Sequence, residues 1–322
     1  MITCPDKVKA AGRMGMLIDG KWDDVADQSM VSGTYRREQS SLPTSIDTQF
    51  LKRIGKDQGR FFLIASASCP WSHGAVLALV LGRLKDTVNI QWAGGPRLEG
   101  YGLLPGGQLP NRSEFQHAHQ FYTSTIPSYT GRSTVPILWD AKHRKVISNS
   151  SADIIAAFDA VSANMELFPS GMRREIDDLT QYIFDGLSNA VYRAGKSQRQ
   201  DEYDEAVDTV FGTLDELEAR LEGRSFLFGD TLNQADIRLF ATLVRFDTVY
   251  ATHFRCTRKR LVDYPRLWRF ARRIFQMPGV RQTVDFDEIR YGYYINDGDH
   301  NPSGIIGQQP EIDWESQEGL SS

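Results

Sequence analysis

The sequence predicts two successive domains, an α/β domain with a mixed four-stranded sheet and then an all-helical domain. Between residues 56 and 165, short apolar segments of strand type alternate with segments of helical spacing, which is typical of an α/β layer structure. From 172 to 290, apolar residues recur only with helical spacing. The polar segments 1–55 and 291–322 are expected to form an N-terminal extension and a C-terminal tail. A chain of 322 residues is long enough for two packed cores.

The predicted elements of the first domain follow the order strand, helix, strand, long loop, strand, strand, helix. The two last strands are separated by a turn-like AKH and are expected to form a hairpin. The long loop, 94–134, is rich in Gly, Pro and aromatic residues and is expected to be functional or to contain short helices. The other elements are strands at 60–66, 87–93, 134–140 and 144–148, helices at 70–85 and 150–161, and a short strand near GTYRR in the extension.

In the second domain, apolar spacing predicts helices over 176–191, 203–221, 234–249 and 265–276. The third of these is apolar on nearly every side and is expected to be central and buried. Asn233, with Asp236 three residues later, resembles a capping box at the start of this helix.

Composition excludes several classes of protein. Apolar residues make up 41% and charged residues 24%, and the net charge of −4 does not suggest a nucleic-acid partner. No apolar stretch approaches the ~20 residues of a membrane helix, and the first residues lack the apolar core of a secretory signal. The three cysteines are too few and too scattered for a disulfide framework or a zinc site. We therefore expect a cytoplasmic protein with no metal.

Cys69 stands between an apolar strand and a helix that begins with Pro70, a favoured first helical residue. This places Cys69 at the N-cap, where unpaired N–H groups and the helix dipole favour a thiolate nucleophile over a merely packed cysteine. Because Ser72 completes a C-x-x-S motif, a mixed disulfide at Cys69 needs an external thiol, unless Cys4 or Cys256 folds close to it. Cys256 is expected to be structural.

Two further motifs point to a peptide ligand. In thioredoxin-like sheets, a Val–cis-Pro opposite the cysteine leaves the valine backbone available to an extended peptide, and Val135-Pro136 fits that position. Ser150 and Ser151 begin a helix, where they act either as a simple cap or as a carboxylate site. A small peptide with a thiol and a terminal carboxylate satisfies all three sites, and glutathione is that molecule.

The sequence resembles the Xi-class glutathione transferases, the glutathionyl-hydroquinone reductases. The similar segments include CPWSH (69–73), YTGRSTVPILWD (129–140), NAVYRAG (189–195), LFGDTLNQADIRLFATLVRFDTVY (227–250) and MPGVRQTVDFDEI (277–289). The resemblance implies a thioredoxin-like domain followed by a helical glutathione-transferase domain, and a homodimer.

On the glutathione side, the resemblance implies that Cys69 is the nucleophile and that Val135, beside Pro136, contacts the cysteinyl part of glutathione. It places Arg132 on the same loop and Ser151 at the γ-glutamyl end, with Ser150 beside it.

On the acceptor side, the resemblance implies an aromatic substrate in a pocket lined by Tyr192, Tyr250 and Tyr293, with Tyr294 as a rival for the last position. Tyr192 is also expected to be catalytic, by stabilising charge on the ring oxygens. Glutathione enters this chemistry as a co-substrate: Cys69 removes the glutathionyl group as a mixed disulfide, and a second glutathione releases it.

The sequence also departs from the family pattern. The family writes CPWAHR where Ser72 and Gly74 stand here, and Glu-Ser where Ser150 replaces the Glu. Residues 41–44 replace an aromatic motif, and Tyr101 is the nearest match to a tryptophan over glutathione.

These departures leave two alternatives open: another aromatic thioether, ether or haloaromatic as substrate, or a non-catalytic binding module that uses the basic segment 255–273. That segment is otherwise interpreted as a solvated helix face, and His73 as a satisfied core histidine.

Overall fold

The structure is a computed structural model that describes residues 15–26, 30–31, 34–35, 42, 46–54, 56–298 and 300–320. Cys4 lies outside the described residues. So does most of 41–44, where Leu42 is the exception and is buried.

The N-terminal extension forms two short hairpins and one helix. Strands β1 (Met16–Ile18) and β2 (Lys21–Asp23) pair with each other, as do β3 (Met30–Val31) and β4 (Thr34–Tyr35), so the strand predicted near GTYRR is confirmed. The backbone of Leu17 exchanges hydrogen bonds with Gly131 at 3.0 and 2.9 Å. The extension therefore holds the loop that leads to Val135. Helix α1 (Thr48–Ile54) follows.

The described strands of the first domain form one five-stranded mixed sheet in the order β7-β6-β5-β8-β9. Strands β5 and β6 are parallel, and the other neighbours are antiparallel. The predicted count of four is wrong because β7 is a two-residue edge strand inside the long loop, too short to give an apolar period. The strands are β5 (Phe61–Ala65), β6 (Val88–Gly94), β7 (Gly102–Leu103), β8 (Ile137–Asp140) and β9 (Lys145–Ser148).

Strand β5 is buried on both faces, and its side chains alternate between two cores. Phe61 and Leu63 face the core shared with helices α2 (Pro70–Leu81) and α4 (Ser151–Val161) and with the second domain. Phe62 and Ile64 face the other core, where α3 (His119–Thr125) packs. Helix α3 lies within the long loop, as predicted.

The second domain is helical, as predicted, but two predicted helices are divided. A π-helical turn at Phe184–Ser188 interrupts the first, and α8 ends at Leu243 before a second π-helical turn at Phe246–Tyr250. The predicted capping box of Asn233 and Asp236 is present. None of the described helices combines the length and apolar character that a membrane span requires. The helices are α5 (Arg173–Ile183), α6 (Ala190–Lys196), α7 (Gln200–Arg220), α8 (Gln234–Leu243), α9 (Pro265–Phe275) and α10 (Phe286–Tyr294).

Candidate active site

Cys69 occupies the N-cap of α2, the position that the sequence predicts. Its backbone is extended (φ −87°, ψ 117°), and its Sγ accepts a hydrogen bond from the N–H of Ser72 at 3.4 Å. The sulfur lies 3.5 Å from the carbonyl oxygen of Val135, and the residue is 7% exposed. An N–H donor at a helix start stabilises negative charge on the sulfur, so the local geometry suits a thiolate nucleophile.

A buried arginine, Arg245, holds the loop that precedes Cys69. Its guanidinium donates to the carbonyl oxygens of Ala67 at 2.6 Å, Ser68 at 3.2 Å and Ala241 at 2.5 Å. The residue has no exposed surface. A charge removed from water is tolerated only when its hydrogen bonds are satisfied, which the three carbonyls accomplish. Arg245 therefore fixes the nucleophile's loop and places a cation behind it, a role that sequence reasoning missed.

His73 is the satisfied core histidine that the sequence predicts. Its Nδ1 lies 3.1 Å from a guanidinium nitrogen of Arg245, which can only donate, so Nδ1 accepts and Nε2 carries the proton. Nε2 then donates to Thr283 Oγ1 at 2.8 Å. Burial, followed by the charge of Arg245, lowers the pKa of His73 well below its usual value. A neutral histidine whose two nitrogens are both engaged is a structural residue.

The Val135–Pro136 peptide bond is cis, as predicted, and lies opposite Cys69. Arg132, on the same loop, lines a small concavity. Trp22 and Arg97 also line this concavity, and the sequence analysis assigns neither of them a role in the site. The lining residues are Gly15, Trp22, Arg97, Gly100, Tyr101, Arg132 and Ser133.

Tyr101 connects this concavity to the cysteine. It packs against the apolar cluster that contains Cys69. The guanidinium of Arg97 lies 4.2 Å above its ring and donates to its hydroxyl at 2.9 Å. Asn296, beyond the last helix, accepts from the backbone N–H of Arg97 at 2.7 Å and donates to Gly95 at 3.1 Å. The chain that follows α10 thus anchors one wall of the concavity.

Ser150 and Ser151 begin helix α4, as predicted. The hydroxyl of Ser150 caps the helix by accepting from the N–H of Asp153 at 3.3 Å. The hydroxyl of Ser151 accepts from both terminal nitrogens of Arg238 at 3.2 and 3.3 Å. Arg238 lies on α8 and is buried. This site therefore combines a helix N-terminus with a guanidinium, and both favour a carboxylate.

Three tyrosine hydroxyls from the second domain form a connected chain. Tyr293 Oη lies 2.5 Å from Tyr192 Oη and 2.9 Å from Tyr250 Oη. Tyr192 also packs against Trp71, with ring centroids 5.4 Å apart. Tyr294 points elsewhere, because its hydroxyl bonds Thr252 at 2.9 Å. The structure therefore brings together the three predicted tyrosines and leaves out the rival.

The electrostatics of this chain keep its phenols protonated. Burial raises the pKa of Tyr192, Tyr250 and Tyr293 well above 10, and the neighbouring phenols add to the effect. Tyr192 packs against the apolar cluster that contains Cys69, and charge on that sulfur adds to the raised pKa of Tyr192. Protonated phenols beside a sulfur can donate hydrogen bonds to charge that develops on a bound ring.

An ion pair joins the end of the helix of Tyr192 to the segment that follows α10. Lys196 follows Tyr192 by four residues, Asp297 follows Tyr293 by four, and the two form a salt bridge. Asp297 also accepts from His253 at 2.9 Å and from His300 at 3.2 Å. Burial alone would raise the pKa of Asp297, but these partners lower it below its usual range.

Cys256, the other cysteine among the described residues, is more deeply buried than Cys69. It is fully buried, and burial raises the pKa of its thiol to about 12. The structural role predicted for Cys256 agrees with this placement.

Comparisons with known protein families, sequences and structures identify relatives that agree with one another. A family model described as the C-terminal domain of glutathione S-transferases matches residues 200–273. Glutathionyl-hydroquinone reductase YqjG of Escherichia coli is 37% identical, covering 95% of this chain and 98% of that protein.

Two solved structures are also similar. The Xi-class glutathione transferase of Natrialba magadii has a TM-score of 0.84 at 32% identity and covers 96% of this chain and 97% of that one. A glutathione-bound structure of YqjG has a TM-score of 0.83 at 35% identity and covers 95% of this chain and 99% of that one.

Proposed function

Because this chain belongs to the glutathionyl-hydroquinone reductases, the Xi-class glutathione transferases, we propose that it removes glutathione from glutathionyl-hydroquinones through a mixed disulfide at Cys69. One observation carries the proposal: Cys69 lies at a helix start in an apolar cluster, and Tyr192, the first of three linked phenols, packs against that cluster. A thiol nucleophile and donors for a ring oxygen are the two components that this reaction needs.

In the first step, the Cys69 thiolate attacks the sulfur of the glutathionyl thioether. A sulfur–sulfur bond forms, and the bond between sulfur and ring carbon breaks with its electron pair moving to the ring. A keto tautomer of the ring delocalises this charge onto oxygen, and proton uptake then gives the hydroquinone. The enzyme retains glutathione as a mixed disulfide.

Tyr192 stabilises the developing oxyanion in this scheme. For Tyr192 to donate to the substrate, Tyr293 donates to Tyr192 and Tyr250 donates to Tyr293, so all three O–H groups align in one direction. Such alignment polarises each donor further in a site shielded from water.

The second step is ordinary thiol–disulfide exchange. A second glutathione thiolate attacks the mixed disulfide, Cys69 leaves as the thiolate, and oxidised glutathione is released. The net reaction consumes one glutathione and one glutathionyl-hydroquinone and yields hydroquinone and glutathione disulfide.

Glutathione itself would be held along the first domain. The Val135 backbone would pair with its cysteinyl part, and Arg132 would line the same side. Its γ-glutamyl carboxylate would meet the Ser151 hydroxyl and the Arg238 guanidinium. Ser150 supplies a hydroxyl where relatives carry an acid, so the γ-glutamyl ammonium has a weaker partner here.

The test is a Cys69→Ala variant assayed with glutathionyl-hydroquinones and, in parallel, with phenacyl-glutathione. We expect complete loss of activity, a mass increase of one glutathione on Cys69 in the wild type under limiting thiol, and unchanged turnover in Cys256→Ala. Retained activity in Cys69→Ala would contradict the scheme. A preference for phenacyl-glutathione would favour a different thioether as substrate.

We also propose a cytoplasmic homodimer, on the basis of the family and of the reducing environment that a reactive thiol requires. Light scattering during size-exclusion chromatography tests the dimer, and a monomeric mass would contradict it.

A further inference from the structure

Three potential metal ligands converge beside the concavity lined by Tyr101 and Arg132, which we call the glutathione concavity because we propose that glutathione binds there. Glu99 Oε2 lies 3.2 Å from His119 Nε2 and 3.8 Å from His117 Nδ1. Among the residues that the structure describes, these three form a group whose ligand atoms all lie within 4.8 Å of one another. Both imidazoles thus face a single carboxylate oxygen.

The spacing of these atoms matches what a small divalent metal requires. Nitrogen and oxygen ligands of zinc lie about 2.0–2.2 Å from the metal, and in a tetrahedron such ligands are roughly 3.3 Å apart. The distance of 3.2 Å between Glu99 and His119 is close to that value, the distance of 3.8 Å between Glu99 and His117 is longer, and all three ligand atoms lie within 4.8 Å of one another, so side-chain rotations would bring them onto one metal. The side chain of Glu99 is 52% exposed, which leaves the fourth position open to water.

The backbone around the cluster is fixed independently of any metal. Ala118 donates to Tyr101 at 2.8 Å and Leu103 to Gln116 at 2.8 Å, so the two ligand-bearing segments run side by side. The Gln120 side chain accepts from the N–H of His117 at 2.9 Å. Trp22 stacks on the His119 ring with centroids 5.1 Å apart. Ligands held in place before binding lose little freedom when the metal arrives.

We propose that Glu99, His117 and His119 form a binding site for a divalent transition metal, with Zn²⁺ as the best match. Two histidines, one carboxylate and one water form a ligand set that zinc accepts in tetrahedral geometry. The metal would join the segment that carries Tyr101 to the start of α3 and so stiffen one wall of the glutathione concavity.

The experiment uses the full chain in a Cys69→Ala background, which removes the thiol as a competing ligand. Co²⁺ titration followed by visible absorption, and Zn²⁺ titration by calorimetry, should each show one saturable site. Glu99→Gln and His117→Gln should each weaken binding by at least about tenfold, the loss typical even of outer-shell changes at metal sites. His143→Gln, which alters an exposed histidine outside this cluster, is the matched control and should bind as the parent does.

A second readout is thermal stability, because a ligand that binds only the folded state raises Tm. Zn²⁺ should raise the Tm of the parent and raise that of His117→Gln by less at the same metal concentration. Equal metal affinity in all four proteins, or no saturable binding in the parent, would overturn the proposal. Neither result depends on the proposed reductase activity, which the Cys69→Ala background lacks.

Discussion

Tyr293 and Tyr294 are adjacent in sequence but make different contacts, and this difference gives a sharp test of the tyrosine chain. The Tyr293 hydroxyl bridges those of Tyr192 and Tyr250, whereas the Tyr294 hydroxyl bonds to Thr252. We therefore expect Tyr293→Phe to reduce kcat and Tyr294→Phe to leave it near the wild-type value. Each of the two substitutions removes one phenolic hydroxyl group, and the two positions are adjacent in helix α10.

The size of the effect follows from which hydrogen bond is lost. In the proposed scheme, Tyr192→Phe removes the donor to the ring oxygen, and loss of such a donor typically lowers kcat about 100- to 1,000-fold. Tyr293→Phe removes only the donor behind it, and a neutral hydrogen bond is worth about 0.5–1.5 kcal/mol. At about 1.4 kcal/mol per factor of ten, this corresponds to a roughly 2- to 13-fold lower kcat.

The assay is steady-state release of hydroquinone from a glutathionyl-hydroquinone, with saturating glutathione. Because burial raises the pKa of all three phenols well above 10, they stay protonated, and the ratio of wild-type to Tyr293→Phe rates should be constant across neutral and mildly alkaline pH. Equal kcat in the two single variants, or a greater loss in Tyr294→Phe, would refute the assignment of the chain.

Two further substitutions and one labelling experiment test other parts of the structure. Ser150→Glu should lower the KM for glutathione by about tenfold, because it supplies a charged hydrogen bond to the ammonium group. It should also lower the free energy of unfolding by about 1 kcal/mol, because the helix loses its cap. An unchanged KM would argue against an ammonium site there. Arg60→Met should unfold at a higher pH than wild type in an acid titration followed by circular dichroism, and coincident midpoints would contradict this. Burial alone would raise the pKa of Asp140, but hydrogen bonds from Arg60 and a neighbouring histidine lower it from 3.8 to about 2. The associated stability, roughly 2.5 kcal/mol at 1.36 kcal/mol per pKa unit, is present at neutral pH and is lost as the pH falls from about 4 toward 2. Iodoacetamide should label Cys69 and leave Cys256 unmodified in the native protein, as peptide mass mapping can establish.

The features that sequence predicted well depend on a few adjacent residues. The capping of α8 by Asn233 follows from local hydrogen-bond chemistry, and so does the place of Cys69 before Pro70. The apolar spacing that predicts β5 and α2, and the turn residues at their ends, are also local features of the sequence. No distant contact is needed to decide any of them.

The features that sequence missed depend on insertions or on distant partners. An α-helical period cannot reveal a π-helical turn, which adds one residue to a turn, and the two turns at 184–188 and 246–250 therefore read as continuous helix. The first turn precedes the helix of Tyr192, and the second contains Tyr250. Arg245 was missed for another reason: its partners lie 172 to 178 residues away in the chain, apart from one local carbonyl.

Asn296 and Asp297 have a consequence for how the two substrates are received. Asn296 holds the segment of Arg97, on the side where we propose that glutathione binds, and Asp297 holds the helix of Tyr192, on the side where we propose that the aromatic ring binds. Two consecutive residues thus support both the concavity beside Tyr101 and the chain of three tyrosines. A chain that ended before Asn296 would lose both contacts, one on each of these two sides, at once. A change at this point of the chain is therefore expected to alter both sides together.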